Sequence, residues 1–205
     1  MARKVCVVLT ARPSYARIYT ALEALRTHED VELQLVVAAS ALLERYGSAV
    51  SVIEEAGLKI DRQVYMILEG ENLVTTAKST GFGLAELATV FDNLKPDMVV
   101  TIADRFETMA TAVAASYMNI PLAHIQGGEV TGSIDEKVRH AVTKLADLHL
   151  VASRKAAERV IRMGENPDSV VVTGCPSIDL AQTAVEAEPR EPAKILSGYG
   201  GVGAD

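Results

Sequence analysis

Asp97–Ala103 reads DMVVTIA and Ile120–Ile125 reads IPLAHI. Each run stops abruptly at polar residues, Asp104-Arg105-Phe106-Glu107 after the first and Gln126-Gly127-Gly128-Glu129 after the second. Near-continuous apolar, β-branched runs of this length are strands of a parallel sheet covered on both faces, where alternation disappears. Such sheets bind ligands outside the carboxyl ends of their strands. The polar residues that follow the two runs therefore stand where an α/β sheet keeps its chemistry.

Working outward, further strands are predicted at Lys4–Thr10, Leu33–Ala39, Ile60–Leu68 (the weakest), His149–Ala152 and Val170–Thr173, beside Met98–Ala103 and Leu122–Ile125. A helix is predicted from the turn Arg12-Pro13-Ser14 through Thr27, with Pro13 in the first turn, where its missing N–H costs nothing. Ala41–Gly47 and Ala49–Gly57 read as short helices, the second ended by Gly57. Asn72–Leu94 reads as a long helical stretch interrupted at Thr80-Gly81-Phe82-Gly83. Phe106–Tyr117, Ile134–Leu145, Arg154–Met163 and Ser177–Val185 complete the helices, and there is no internal repeat. Strands alternating with helices demand βαβ crossovers, so the expected fold is α/β, a doubly wound, Rossmann-like parallel sheet over residues 1–185. Residues 186–205 are rich in Pro, Gly and Glu, lack a periodic apolar face, and read as a linker or disordered end.

At 205 residues the chain can bury one sizeable core. Its net charge of −7 argues against nucleic acid as a partner, because that binding rests on Lys and Arg neutralising phosphates. A small anion is not excluded, since local arginines and helix N-termini can hold one. Met1-Ala2-Arg3-Lys4 runs straight into an apolar strand too short for a signal peptide, and nothing approaches a membrane span. Cys6 and Cys175 have no metal or redox spacing and are expected to be buried thiols in a reducing cytoplasm. The four histidines are scattered, so no metal site is expected.

The first strand is followed by Thr10-Ala11-Arg12-Pro13-Ser14, without the G-x-G-x-x-G of a dinucleotide fold, so no NAD or FAD is expected there. Arg12, at a helix N-terminus, suits a phosphate or is a solvated arginine. Asp104 reads two ways: as the N-cap of the next helix, with Glu107 completing an acidic capping box, or as a general acid or base. Arg105 can pair with Asp104 or face a phosphate. His124, Gln126, Gly127, Gly128 and Glu129 crowd one strand's carboxyl edge, where the glycine pair lets backbone approach a ligand. Ser133-Ile134-Asp135-Glu136 is a capping box, with Asp135 and Arg139 at i and i+4 on one helix face. Asp104 and Asp135 can meet across a cleft as a carboxylate pair with separated roles.

The stretches TARPSYARI, ADRFETMATAVAASYMNIPLAHIQGGEVTGSIDEKVRHAVTKLADLHLV and VVVTGCPSIDLA resemble the hydrolysing UDP-N-acetylglucosamine 2-epimerases, which supply precursors of sialic and legionaminic acids. The resemblance implies the first lobe of a two-lobe, glycosyltransferase-B type fold, with the second, nucleotide-binding lobe absent after the Gly-rich tail. It implies a UDP-sugar substrate, no cofactor and a homo-oligomer in full-length form. Asp104 and Asp135 look like catalytic carboxylates. Arg12, Arg105 and His124 look like nucleotide-sugar contacts, and Arg139 resembles a support for Asp135. Ser14, Gly128 and Ser133 are read with them as substrate contacts. The implied reaction removes the C2 proton, expels UDP to give a glucal, and adds water. Two departures stand out: Gln126 replaces a glutamate, and Ala39-Ser40-Ala41 lacks a histidine. An amide cannot shuttle a proton, so Glu129 is the expected third acid/base and Gln126 a hydrogen-bonding contact. The isolated chain is expected to fold without activity. The competing readings are a glycosyltransferase lobe and a non-catalytic nucleotide-sugar-binding module.

Overall fold

The computed structural model of the chain describes residues 2–70, 72–132 and 134–186. Among them are strands β1 (Arg3–Leu9), β2 (Val31–Ala38), β3 (Arg62–Val64), β4 (Met98–Ile102), β5 (Leu122–Ile125), β6 (Leu148–Val151) and β7 (Val170–Val172). They form one parallel sheet in the order β3-β2-β1-β4-β5-β6-β7. Helices α1 (Arg12–Thr27), α2 (Val50–Glu55), α3 (Leu73–Leu94), α4 (Phe106–Tyr117), α5 (Ile134–Leu145), α6 (Arg154–Arg162) and α7 (Pro176–Glu186) connect and follow the strands.

Successive strand residues serve opposite faces, which is why the strands are apolar throughout. Cys6 and Val8 of β1 join Leu87, Phe91, Ala110, Ala114 and Val142 in one core, on the side of α3, α4 and α5. Val7 and Leu9 join Ile18, Leu22 and Ile53 in the other, on the side of α1 and α2. Strand order runs outward in both directions from the β1/β4 pair, so the winding reverses between them and opens a crevice at their carboxyl ends.

Four expectations change. The third strand is only Arg62–Val64, because β2 offers partners no further than Ala38 before turning away. The helix expected at Ala41–Gly47 is instead two 3₁₀ turns, Ala39–Leu42 and Glu44–Tyr46. Its backbone is drawn off into cross-links, Ala41 N–H to Thr10 O at 3.2 Å and Ala49 N–H to Ala41 O at 2.8 Å. Helix α3 runs unbroken through Thr80–Gly83. Gly83 is there for packing: a Cβ would meet Met66 Cε at 2.3 Å and Ala110 Cβ at 3.1 Å, so its absence lets α3 close on α4. Finally, Cys175 is half-buried rather than buried, whereas burial pushes the Cys6 thiol up to about 12. The linker reading of 186–205 falls, from residue 187 onward, outside the described residues.

Gly81 faces open space, with nothing within 4 Å of a Cβ. In an unbroken helix Gly81→Ala should therefore stabilise by about 0.5–1 kcal/mol. Gly83→Ala should not give that gain, because Met66 must move. Urea denaturation of the two variants checks the pair; a neutral or destabilising Gly81→Ala would favour an interrupted helix.

Candidate active site

Backbone conformation shapes the carboxyl edge before any side chain does. Ala39, Ala103 and Gln126, each just past a strand, have φ of 54°, 67° and 64°. Non-glycine residues rarely adopt this conformation, and such positions gather at functional sites. Neighbouring strands hold two of them in place. Ala103 N–H donates to Ile125 O at 3.1 Å, and Gln126 N–H to Leu150 O at 2.9 Å. Beside Ala39, the Ser40 hydroxyl donates to Thr10 O at 3.0 Å.

At the β1/β4 reversal a cleft of about 290 Å³ is lined by Ser40, Tyr46, Ser79, Arg105 and Glu107, among others. A hollow of about 260 Å³ lined by Ala11, Arg12 and Pro13 shares Ser40, Tyr46 and Arg105 with it. The two adjoin at these shared residues. Arg12 is exposed, its guanidinium lying where a Cβ on Gly47 would have to sit. Ser14 is buried in the first turn of α1, its N–H bonded to Ala11 O at 3.0 Å.

Arg139 ties the edge together. Its side chain, 4% exposed, donates from one terminal nitrogen to Asp104 Oδ2 and from the other to Glu129 O at 2.8 Å. The end of β4 and the loop after β5 are thereby joined to α5. Burial, and then the nearby cation of Arg17, lower the pKa of Arg139, but a guanidinium stays protonated. Breaking a buried pair by removing one partner typically costs about 3–5 kcal/mol.

This clamp revises three sequence readings. Asp104 does not cap α4; Arg105 holds the N-cap position, with no side-chain cap bond. Arg105 does not pair with Asp104, whose carboxylate is taken by Arg139. Arg139 is engaged by Asp104 and the Glu129 carbonyl, not by Asp135 one turn earlier on α5. Asp135 is half-buried. Glu129 is also half-buried, and it is its carbonyl rather than its carboxylate that the clamp holds.

His124 was expected to touch the nucleotide sugar. It is instead fully buried, with Nε2 2.9 Å from Ala103 O and Nδ1 3.1 Å from Thr143 Oγ1. A carbonyl only accepts, so Nε2 carries the proton and Nδ1 accepts from the Thr143 hydroxyl. Burial is the main cause that lowers its pKa to about 4; the Ala103 bond opposes that shift and His149 adds to it. Its role is to fasten the strained Ala103. Gly128 was expected to admit a ligand, but a Cβ there would lie 2.3 Å from Ala156 O, so α6 fills that space. Arg159 also donates to Gly128 O at 3.1 Å. Gln126 is buried at the edge and donates from its amide to Cys175 Sγ at 3.3 Å. Ser133 lies outside the described residues. Glu136 accepts from Gly132 N at 2.8 Å and Thr131 N at 3.1 Å, the former bond leading the depression of its pKa.

Sequence reasoning passed over Glu107 by giving it a capping role. It is fully buried, with Oε2 3.3 Å from Arg105 Nε and Oε1 without a partner among the described residues. Burial raises its pKa most; Arg105 opposes the shift and Asp135 adds to it. An acid at a helix N-terminus gains about 0.3–1 kcal/mol, while desolvating a carboxylate costs several. The helix alone does not explain Glu107. The available signal was an acid in the first turn beyond a strand's carboxyl end. Among the described residues, no group of three or more His, Cys, Asp or Glu could hold a metal, and no helix is long and apolar enough to cross a membrane.

The family profile of UDP-N-acetylglucosamine 2-epimerase matches residues 23–198. The UDP-N,N'-diacetylbacillosamine 2-epimerase (hydrolyzing) of Legionella pneumophila is 35% identical over 179 residues, 87% of this chain and 48% of that protein. The GDP/UDP-N,N'-diacetylbacillosamine 2-epimerase (hydrolyzing) of Campylobacter jejuni is 30% identical, over 90% of this chain and 47% of its own. The chain thus spans about half the length of the curated relatives it matches. The structure of S. aureus MnaA with UDP superposes with a TM-score of 0.79 at 26% identity, covering 96% of this chain and 51% of that one. The Rossmann-like sheet is therefore shared with one half of two-lobe epimerase structures.

The buried, neutral His124 has a consequence for stability. Below its ordinary 6.5 the unfolded chain gains a proton that the folded lobe takes up only near pH 4. Its contribution is complete above pH 6.5 and is lost as pH falls toward 4, by roughly 3 kcal/mol. His149, lowered chiefly by burial, acts in the same sense. Urea titrations between pH 7 and 4 should show this decline. His124→Gln, which keeps a donor and an acceptor in place, should flatten it; an unchanged slope would mean that His124 is not held neutral.

Proposed function

Because the chain belongs to the UDP-N-acetylglucosamine 2-epimerase family, we propose that it is the first lobe of a hydrolysing nucleotide-sugar 2-epimerase. The observation that carries this reading is the placement of Arg12 and Arg105 in one crevice at the β1/β4 reversal, with Asp104, Asp135 and Glu129 on the same sheet edge. The two arginines suit the anionic part of a UDP-sugar, and the carboxylates suit proton transfer at the sugar.

In this account residues 1–185 are the lobe and 186–205 the connection to a second lobe, which supplies further uridine and diphosphate contacts. A carboxylate takes the C2 proton, the C1–O bond to UDP breaks with the electrons leaving on the diphosphate, and water adds to the glucal. Asp135 and Glu129 are the groups whose carboxylates the Arg139 clamp does not hold. Asp104, its carboxylate paired with the Arg139 guanidinium, keeps the clamp closed and stands beside the reacting atoms. Gln126 offers an amide to a hydroxyl or acetamido group, and Ser14 and Ser133 are further substrate contacts in this reading. The substrate is UDP-N-acetylglucosamine or a 2,4-diacetamido relative. The Legionella and Campylobacter relatives favour the latter. The full-length protein is proposed to work in the cytoplasm as a homo-oligomer, without nucleic-acid partners.

Incubating the full-length protein with each UDP-sugar, with no acceptor, should release UDP and the 2-epimerised free sugar, followed by NMR. Asp135→Asn and Glu129→Gln should each lower kcat by roughly 10²–10⁴. The 205-residue chain alone should show no turnover, since preorganised contacts from both lobes contribute to rate. Release that depends on an added acceptor would instead make this a glycosyltransferase lobe.

A further inference from the structure

Glu107 sits beneath the one arginine common to both parts of the crevice. Its Oε2 accepts from Arg105 Nε at 3.3 Å, while Oε1, also buried, has no partner among the described residues. Arg105 is half exposed, and its two terminal nitrogens make no hydrogen bond among the described residues. A buried carboxyl with one unpaired oxygen is a liability to the fold, and an apolar residue of similar volume would serve α4 at least as well. Its place therefore points to the site rather than to stability.

We infer that Glu107 is a positioning residue: its carboxylate anchors the Nε side of Arg105, so that the terminal fork of the guanidinium faces the crevice and receives the phosphoryl oxygens of a nucleoside diphosphate. The inference rests on the nucleotide-sugar reading above. An arginine fork makes paired hydrogen bonds to phosphate only when its plane is fixed, and a long exposed side chain loses rotamer freedom on binding unless something already holds it. The charged groups acting on Glu107 are Arg105, ahead of α4, and Asp135, from α5. Asp135 opposes a second negative charge nearby, whereas the Arg105 cation favours one, so Arg105 is the partner that supports the carboxylate form of Glu107 against burial.

The probe is UDP itself, titrated calorimetrically into the full-length protein, with kcat on the UDP-sugar measured in parallel. Glu107→Gln, nearly isosteric, should weaken UDP binding by about tenfold, the share of one charge-assisted hydrogen bond, with a smaller change in kcat. Arg105→Lys keeps the charge but has neither Nε nor a fork, and should weaken UDP binding at least as much. The double variant should be no weaker than Arg105→Lys alone, because Glu107 acts through Arg105. Additive losses, unchanged UDP affinity in Glu107→Gln, or a fall confined to kcat would overturn the inference. If Glu107→Gln does not fold, Arg105→Lys with normal UDP affinity overturns it equally. Wild-type protein that binds UDP but does not turn over UDP-sugars would sink the proposed activity while leaving this assignment standing. Wild-type protein that does not bind UDP would sink both.

Discussion

The carboxyl edge of this lobe depends on one buried cation. Arg139 reaches from α5 to the Asp104 carboxylate after β4 and to the Glu129 carbonyl after β5. Neither contact is optional once the guanidinium is 4% exposed, because an uncompensated buried charge destabilises by several kcal/mol. The clamp fixes the spacing of the segments that follow β4 and β5. It also divides the carboxylates by environment: Asp104 is tied to a fixed cation, while Asp135 and Glu129 keep their carboxylates outside the clamp. Similar groups given different surroundings are how one site obtains both an acid and a base.

The backbone around this clamp is held against its own preferences. Ala103 and Gln126 take left-handed conformations that cost free energy, and each is fastened by a bond to the neighbouring strand. His124 completes the arrangement by giving its single proton to the Ala103 carbonyl. A histidine at this edge invites a chemical role, yet both its nitrogens are consumed in holding the turn.

How much of this was legible in the residues follows from their physical chemistry. The parallel sheet was legible because buried strands leave continuous apolar runs, and its polar termini marked the edge. The unbroken course of α3 was not, because Gly81 and Gly83 read locally as breakers while Gly83 is set by contact with Met66 and Ala110. Asp135 and Arg139 at i and i+4 suggested a local pair; the partner that prevailed, Asp104, is distant in sequence, and spacing carries no information about it. Gly128 suggested room for a ligand, since a sequence cannot distinguish space left for a ligand from space left for a helix. Glu107 was hidden by an adequate local explanation, and only its burial revealed that capping was insufficient.

Where the ligand lies is the most direct test of the account. The decisive measurement is a crystal structure of the full-length protein with its UDP-sugar. The account predicts the diphosphate within hydrogen-bond distance of Arg105 in the crevice at the β1/β4 reversal, and the sugar beside Asp135. A ligand seated instead at the opposite edge of the sheet, in the hollow lined by Ser116, Asn119, Pro121 and Asp147, would contradict it.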